Sequence, residues 1–371
     1  MASAGAIEQD SRDPGTFQPG KRSRERAAVL CGVGAYIPPS VVTNADLTVR
    51  FDTSDEWIRT RTGIVKRHVV DRGTATSDLA ERAGAAALKA AGVRTVDAVV
   101  LATTTPDHPC PGTAPMVAER LGMSGTPAYD VNAVCSGFVY GMATAAGLIA
   151  AGVADDLLLI GADSFTTLLN PHDRDTVTIF GDGAGAVVLR SGGPDEPGAV
   201  HAFDLGSDGA LADLIMVPAG GSRRPPRAMA HGADDARSSA YDDAWFSMQG
   251  RAVYRHAVRR MTGSSRTALR RAGWTADDVD LFVGHQANVR ILQAVAGELG
   301  IPDDRVCVNV DQVGNTAAAS IPLALAHAVS SGQLREGDKV LLTAFGGGAT
   351  WGSCALTWPK TDPPSEGPTS F

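Results

Sequence analysis

The sequence is poor in aromatic residues and in cysteine. Phe, Trp and Tyr make up 5% of the 371 residues, whereas 42 residues are glycine. A core with so few rings must be packed from small aliphatic side chains and glycine. The cysteines are odd in number and form no C-x-x-C pair, which argues against a disulfide framework or a zinc site and favours a reducing, cytoplasmic location. They are Cys31, Cys110, Cys135, Cys307 and Cys354.

Long hydrophobic runs and an excess of positive charge are also missing. No apolar stretch reaches the roughly 18 residues of a membrane-spanning helix, so no membrane partner is expected. Lys and Arg number 33 against 41 Asp and Glu, and this net charge of −8 argues against a nucleic-acid partner. Residues 1–26 are rich in Gly, Ser and Pro without an apolar centre, so we interpret them as a disordered leader and not a secretory signal.

The sequence does contain an internal repeat. ALKAAG at 87–92 has its counterpart in ALRRAG at 268–273, and FGDGA at 180–184 has its counterpart in FGGGA at 345–349. Matching segments in the same order and at similar offsets indicate a duplicated unit. We therefore predict an N-terminal half over residues 27–195, a C-terminal half over residues 196–358 and a tail over residues 359–371.

Each half has the pattern of alternating helices and buried strands. Continuous apolar runs such as 98–102 and 157–160 predict strands covered on both faces. Residues 135–154 are rich in Gly and Ala and predict a buried central helix, because missing side chains let backbones approach closely. An α/β layered architecture follows. The stretch 218–241, rich in Gly, Pro, Arg and Asp, is predicted to be a mobile loop.

Three polar residues stand where the predicted elements begin or end. Cys135 follows a strand and begins the central helix, where the positive end of the helix dipole is expected to lower its pKa and expose thiolate. His285 follows an apolar strand and can exchange protons near neutral pH. Asn315 falls near the position that Cys135 holds in the repeat, so the duplication is expected to bring Cys135 and Asn315 to one central seam.

Each of these residues also has a plain structural interpretation. A lone cysteine is more often a buried core residue, and we give that interpretation to Cys31, Cys307 and Cys354, which lie in strand-like runs. His285 alone would be a surface or capping residue, and Asn315 alone would be a turn residue beside glycine. The shared seam weakens these interpretations together for Cys135, His285 and Asn315.

At these residues the sequence resembles the thiolase-like condensing enzymes, and specifically the β-ketoacyl-acyl carrier protein synthase III family. The resemblance covers about residues 29–356 and rests on six motifs in order, a specific combination. They are TSDEWI with RTGI at 53–64, DVNAVCSGF at 130–138, FGDGAGA at 180–186, HQAN at 285–288, GNT at 314–316 and FGGGATWG at 345–352.

The resemblance implies a five-layer α-β-α-β-α thiolase fold, a homodimer and a catalytic centre of Cys135, His285 and Asn315. Cys135 would take the acyl group of an acyl-CoA substrate, and His285 and Asn315 would donate hydrogen bonds to the enolate left when malonyl-acyl carrier protein loses CO2. The backbone N–H groups of Cys135 and Gly347 would form the second oxyanion hole. No metal or organic cofactor is implied. Such enzymes begin fatty acid or type II polyketide synthesis.

The family's CoA channel corresponds to Trp57, Arg61 and Arg174, where the indole suits adenine and the guanidinium groups suit phosphates. Asn288 would line the pantetheine arm. Without the motif, Trp57 would be interpreted as a packing residue and the arginines as solvated side chains.

A basic stripe also follows from the sequence. Arg251, Arg255 and Arg259 recur every four residues and so share one helix face. By the family resemblance Arg290 lies near this stripe, and together these arginines are predicted to dock the acidic carrier protein. The alternative is that the stripe is only a solvated helix face, which is the more common case.

The acyl pocket contains one departure from the family. Cys110 takes the position, often Phe, that caps the partner subunit's acyl pocket, and Phe345 would line the pocket as well. Because cysteine is smaller, branched or medium-length starters are expected to be accepted alongside acetyl.

Four alternatives remain open on the sequence. An acyltransferase of the same family would pass the acyl group from Cys135 to a hydroxyl or amine and would need no enolate, so the presence of His285 and Asn315 favours condensation. A degradative thiolase needs a second cysteine near the glycine loop, and Cys354 lies several residues beyond it. A plant-type polyketide synthase has a different closing glycine motif, and a paralogue that only binds acyl-CoA would not need the intact trio.

Overall fold

The computed structural model describes residues 26–225 and 242–361. The predicted leader up to residue 25, residues 226–241 of the predicted loop and residues 362–371 of the predicted tail lie outside the described residues. The strands are β1 (Ala27–Tyr36), β2 (Ser40–Thr43), β3 (Lys66–Val69), β4 (Ala98–Ala102), β5 (Ala128–Val131), β6 (Asp156–Asp163), β7 (Gly183–Gly192), β8 (Val200–Ser207), β9 (Ile215–Met216), β10 (Ser247–Met248), β11 (Leu281–Gly284), β12 (Lys339–Gly346) and β13 (Thr350–Thr357). The α-helices are α1 (Asn44–Arg50), α2 (Asp55–Thr62), α3 (Thr76–Ala91), α4 (Ala114–Arg120), α5 (Gly137–Ala150), α6 (Arg174–Val177), α7 (Gly250–Ala272), α8 (Val289–Leu299), α9 (Val310–Val313) and α10 (Ser320–Ser330).

The first large sheet has the strand order β1-β7-β6-β4-β5. Strand β4 is parallel to β5 and β6, whereas β7 is antiparallel to β1 and β6. Helices α3 and α4 cover its outer face through buried Ala, Leu and Val side chains. The approach of α3 is close, because a Cβ at Gly34 of β1 would lie 2.2 Å from the backbone nitrogen of Ala87.

The second sheet has the order β11-β12-β13-β8, and β11 and β12 are parallel. Helices α7 and α8 cover its outer face, with Met261, Leu292 and Val295 buried against Phe282 of β11. The two large sheets fall on either side of the predicted boundary between residues 195 and 196, which itself stays a prediction.

Helices α5 and α10 lie between the two sheets. Their side chains form one core cluster with both sheets, including Phe138 and Met142 of α5 and Leu323 of α10. The buried helix predicted over residues 135–154 is present, although its α-helical part is Gly137–Ala150 and residues 134–136 form a 3-10 turn. Two sheets, two outer helix layers and one central helix layer confirm the five-layer α-β-α-β-α order.

The strand-like run at residues 305–310 is not a strand. Only an isolated bridge joins Val306 to Phe282. The backbone N–H groups further along the run donate to a side chain and not to a neighbouring strand. Gln286 Oε1 accepts from the backbone nitrogens of Asn309 and Val310, at 3.0 and 3.3 Å. Cys307 is nevertheless buried, as is Cys354 in β13, whereas Cys31 in β1 is half-buried.

In the two described ranges, no helix is both long enough and apolar enough to cross a lipid bilayer.

Candidate active site

The three predicted catalytic residues line one small cavity. Cys135, His285 and Asn315 border a space of about 30 Å³, together with Phe180 and Phe345. All three are buried, with 7%, 3% and 4% of their surface exposed. The structure thus brings together side chains that are separated by as many as 180 positions in the chain.

Cys135 lies in a strained turn between β5 and α5. Val134 has a φ of 49°, which side chains rarely adopt, and its N–H donates to Asn132 Oδ1 at 3.3 Å. Thr350 Oγ1, from the second half, donates to the carbonyl of Ala133 at 3.0 Å. A Cβ at Gly346 would lie 2.8 Å from the Cys135 backbone nitrogen, so the two halves touch at this turn.

The expected lowering of the Cys135 pKa is wrong for this structure. Burial raises the pKa of the thiol to about 12, and the Asp163 carboxylate adds to the increase. Loss of solvation is thus the largest effect on this thiol. Cys135 is therefore protonated at neutral pH, and its proton must be lost before the sulfur can act as a nucleophile.

His285 is held at the end of β11 by both its backbone and its ring. Its N–H donates to the Thr343 carbonyl at 2.8 Å, and its Nδ1 lies 2.6 Å from Ser320 Oγ at the start of α10. No described residue forms a hydrogen bond with Nε2, and the ring borders the cavity. Burial lowers the pKa of the imidazole to about 3, so His285 is neutral at physiological pH.

Asn315 is oriented by the backbone around it. Its Oδ1 accepts from the Ala317 nitrogen at 3.0 Å, which leaves its NH2 group without a partner among the described residues. Its own backbone pairs with the first half, donating to the Ile179 carbonyl at 2.9 Å and accepting from the Gly181 nitrogen at 3.0 Å. The donor end of the amide is therefore available to the cavity that Asn315 lines.

The strand registers refine the predicted repeat. Ala98 pairs with Leu157 in one sheet and Leu281 with Val340 in the other, which aligns the halves residue by residue. On this alignment Ala318, and not Asn315, is the counterpart of Cys135.

Asn315 corresponds instead to Asn132, and the two turns share their geometry. Val134 corresponds to Ala317, and both have a left-handed φ, of 49° and 47°. Each of the two residues donates its N–H to the side-chain oxygen of the corresponding asparagine. Asn315 still lies in the seam, as the repeat predicted.

Asp163 is a site residue that the sequence analysis missed. Its fully buried carboxylate accepts hydrogen bonds from Thr103, Thr104 and Thr105, and Oδ2 accepts from the Ala318 nitrogen at 2.9 Å. Burial raises its pKa to about 6 despite these donors. Asp163 ties the end of β6 to the turn that follows Asn315, and no local pattern in the sequence signals that contact.

A larger channel leads to the cavity from the surface. It has a volume of about 630 Å³ and contains the predicted CoA residues Trp57, Arg61, Arg174 and Asn288, with Arg251 also on its wall. The channel and the cavity at Cys135 adjoin each other, because they share six lining residues: Phe246, Met248, Val253, Ala287, Ile291 and Asn315.

The predicted CoA residues form a stacked group in the channel. The Arg61 and Arg174 guanidinium carbons lie 4.4 and 4.9 Å from the centroid of the Trp57 ring. Arg174 also donates to the Asp52 carbonyl at 2.8 Å. Asn288 has a second role, because its Oδ1 accepts from the Ile291 nitrogen at 3.0 Å and caps α8.

A second large cavity lies on the other side of Phe246. It measures about 550 Å³, and its walls include Val134, Phe165 and Ile215. Phe165 and Phe180 stack at 4.4 Å, and Phe246 packs edge-on against both at 5.0 and 5.1 Å. The three rings therefore separate this cavity from the space beside Cys135.

The remaining predicted residues lie at the surface or at the cavity wall. Cys110 is exposed in the loop after β4, just beyond the part of that loop that lines the second cavity. Gly347 packs beside the cysteine turn, since a Cβ there would lie 3.2 Å from Val134 Cγ2.

The predicted basic stripe is solvent-facing. Arg251, Arg255 and Arg259 are exposed on α7, and Arg290 is exposed at the start of α8, which packs against α7. Within residues 26–225 and 242–361, none of the four forms an ion pair. These arginines thus keep their charge available. Among the same residues, no three His, Cys, Asp or Glu side chains are grouped as metal ligands.

The comparisons with known proteins agree on one family. Residues 129–209 match the family model described as 3-oxoacyl-[acyl-carrier-protein] synthase III, and residues 269–358 match the model of its C-terminal part. A relative from Streptomyces coelicolor named beta-ketoacyl-[acyl-carrier-protein] synthase III 5 is 59% identical over 333 residues, covering 90% of this chain and 98% of the relative.

Solved structures give the same result. The crystal structure of 3-oxoacyl-(acyl carrier protein) synthase III from Pseudomonas aeruginosa superposes with a TM-score of 0.84 at 51% identity, over 91% of this chain and 100% of that chain. The priming β-ketosynthase of a polyketide biosynthetic pathway superposes with a TM-score of 0.81 at 31% identity, over 92% and 98% of the two chains.

The low pKa of His285 gives a testable expectation. An ordinary histidine titrates near pH 6.5, whereas we expect the His285 ring proton signals to stay constant between about pH 8 and pH 5. NMR of the histidine-labelled protein measures this, and a His285→Gln variant assigns the signal.

The same chain unfolded in denaturant is the control, since its histidines regain their usual titration. Because the unfolded state binds this proton near pH 6.5 and the folded state only near pH 3, the stability that neutral His285 contributes is lost as the pH falls between these values. A His285 titration near pH 6.5 in the folded protein would contradict the assignment.

Proposed function

The chain belongs to the 3-oxoacyl-[acyl-carrier-protein] synthase III family, and we propose that it condenses an acyl-CoA starter with malonyl-acyl carrier protein to give 3-oxoacyl-acyl carrier protein. It is therefore an acyltransferase of the condensing type. The observation that carries the proposal is that Cys135, His285 and Asn315 line one buried cavity at the end of a channel bordered by Trp57.

The first half-reaction loads the enzyme. The Cys135 sulfur attacks the thioester carbonyl of acyl-CoA, the new C–S bond forms, and the bond to the CoA sulfur breaks. CoA leaves as a thiol and takes up the proton that Cys135 gives up, so the step balances without net release of a proton. The free N–H of Cys135, with that of Gly347 by family resemblance, stabilises the oxyanion of this step.

The second half-reaction forms the carbon–carbon bond. Malonyl-carrier protein loses CO2, and the electrons of the broken bond form an enolate, whose oxygen takes hydrogen bonds from His285 and Asn315. The enolate carbon then attacks the acyl carbonyl on Cys135. The C–S bond breaks, and the sulfur regains a proton from solvent. Burial of the site strengthens these hydrogen bonds, since little water competes for them.

The channel residues support the binding of CoA. Arg61 and Arg174 already stack on the indole of Trp57, where an adenine ring would take the place of one guanidinium, and both charges suit its phosphates. Asn288 also borders the channel, next in sequence to Ala287 of the cavity wall, and would contact the pantetheine arm. The chemistry needs no metal or organic cofactor, because the thiol and the hydrogen-bond donors perform each step.

A homodimer is part of the proposal. Strand β5 is the free edge of the first sheet, and Tyr129 on β5 and Met116 on α4 are exposed large apolar side chains near it, at 38% and 39%. Unpaired strand edges with apolar side chains favour pairing with a second chain. The unpaired cysteines support a cytoplasmic location, because reducing compartments keep thiols free.

Intact-mass spectrometry tests the reaction directly. We expect a mixture of the protein, acyl-CoA and malonyl-carrier protein to yield a carrier that has lost the mass of CO2 and gained the acyl group. If the protein is acylated while the carrier keeps its malonyl group, the alternative of acyl transfer to a hydroxyl or amine is correct instead.

Two variants separate the half-reactions in the same assay. Cys135→Ala abolishes acylation of the protein. Asn315→Asp keeps the oxygen that accepts from Ala317 but replaces the NH2 group, so decarboxylation falls roughly 100- to 1,000-fold while Cys135 is still acylated. Unchanged turnover in Cys135→Ala would falsify the covalent mechanism.

The arginine stripe is proposed to dock the acidic carrier protein. Arg255→Glu raises the KM for malonyl-carrier protein by about tenfold at low salt and leaves the KM for acyl-CoA unchanged. Arg270→Glu, roughly 22 Å further along the same helix than Arg255, makes the same charge change and is the matched control. If both variants raised the KM equally, the net charge of the protein and not the stripe would account for the effect.

The starter pocket is proposed to admit more than acetyl groups. The Phe246 ring separates Cys135 from a cavity of about 550 Å³, which a longer chain would enter once that ring turns aside, and the small Cys110 of the partner subunit would cap the pocket. We expect acylation by acetyl-, isobutyryl- and hexanoyl-CoA, and Cys110→Phe to slow hexanoyl loading by roughly 10- to 100-fold without slowing acetyl loading.

Cys110→Ser, which barely changes the size of the side chain, is the control. Sedimentation equilibrium on the same preparations checks that the variants keep the oligomeric state of the parent protein. A wild-type protein that accepts only acetyl-CoA would contradict the expected pocket.

A further inference from the structure

Ser320 is a buried polar residue of the site to which the proposed reaction assigns no role. It begins α10, is 1% exposed, and its Oγ lies 2.6 Å from Nδ1 of His285. Across the described ranges, Oγ has no other hydrogen-bond partner. Its counterpart in the first half is Gly137, so only one half carries a hydroxyl at this position.

Counting protons decides the direction of this hydrogen bond. A serine hydroxyl carries one proton, and a neutral imidazole carries one N–H. If Nδ1 held the ring proton and donated it, the Ser320 proton would be buried without an acceptor, which is unfavourable. If Ser320 donates instead, both groups are satisfied. A doubly protonated ring is disfavoured as well, because burial lowers the pKa of His285 to about 3.

We propose that Ser320 is a positioning residue that fixes His285 in the tautomer with its proton on Nε2. The Nε2–H group then faces the cavity as a donor, as does the NH2 group of Asn315, whose Oδ1 is occupied by the Ala317 N–H. The site presents two donors to an oxygen and no acceptor.

In this tautomer His285 can act only as a hydrogen-bond donor toward the cavity. An Nε2–H group stabilises the negative oxygen of the enolate, whereas a bare Nε2 would repel it. For the same reason His285 cannot take the proton of Cys135 while Ser320 holds it in this form. The role in decarboxylation rests on the proposed function, but the tautomer itself does not.

Nitrogen-15 NMR of the histidine-labelled wild-type protein tests the tautomer without any substrate. We expect His285 to show a protonated-type shift at Nε2 and an unprotonated-type shift at Nδ1, with His285→Gln used for assignment. The opposite pattern overturns the proposal. Because this readout needs no turnover, it stays valid if the protein proves not to decarboxylate malonyl-carrier protein, a result that would sink only the proposed function.

Three substitutions then test the consequence for catalysis. Ser320→Thr keeps the hydroxyl and should retain both the spectrum and the decarboxylation rate. Ser320→Ala removes one buried hydrogen bond and should slow decarboxylation by about tenfold. Ser320→Asp offers only an acceptor, so it should move the ring proton to Nδ1 and slow decarboxylation by roughly 100- to 1,000-fold.

Acylation of Cys135 by acyl-CoA separates positioning from simple damage to the fold. We expect it to stay within a few-fold of wild type in all three variants, because loading does not use the His285 donor. Wild-type decarboxylation by Ser320→Asp, or a loss in Ser320→Thr as large as in Ser320→Ala, would overturn the proposal. If the Ala and Asp variants do not fold, the wild-type spectrum alone decides.

Discussion

The active site depends on the backbones of the two halves coming closer together than side chains allow. A Cβ at Gly161 would lie 2.5 Å from the Ala318 carbonyl oxygen, and one at Gly346 would lie 2.8 Å from the Cys135 nitrogen. These contacts hold the turns before α5 and α10 against the strands of both sheets. A side chain at either glycine would push a turn away from the seam and separate the cysteine from its two donors. Glycine at these positions therefore lets the two halves approach closely enough to bring the catalytic side chains together.

The repeat predicted two similar α/β halves and a seam shared by Cys135 and Asn315, because duplicated strands and helices pack in related ways. The five-layer order and the place of His285 in the same centre followed from the motifs that resemble the synthase III family. The finer assignments were beyond the pattern. The repeat predicted only that Asn315 falls near the position of Cys135, and the strand registers give its exact counterpart, Asn132. The sequence also located the start of the central helix but not its depth, and depth decides the pKa of the thiol.

The residues that orient the site left no local signal. Asp163 reaches Ala318 and Ser320 reaches His285 through single hydrogen bonds between distant segments, and Gln286 takes the place of a strand neighbour for residues 309 and 310. Such contacts have no period and no characteristic spacing, so only coordinates reveal them. Each of these contacts also has the same effect. It forms a hydrogen bond with a group of the surrounding protein, and the groups that face the cavity remain free to bind a ligand. The electrostatic character of the site thus comes from residues that do not touch the substrate.

The two turns of the duplication are alike in backbone but differ in what stands opposite them. The strand registers align Asp163 of β6 with Gly346 of β12. In one turn the Asp163 carboxylate accepts the Ala318 N–H, whereas the Cys135 N–H lies beside Gly346 and, among the described residues, contacts only the sulfur of its own side chain. The symmetry of the duplication is broken at this pair of positions, as it is at Cys135 and Ala318. Of two turns with the same backbone geometry, only the cysteine turn keeps its N–H side open to a ligand, because the protein's own carboxylate fills that place at the Ala318 turn.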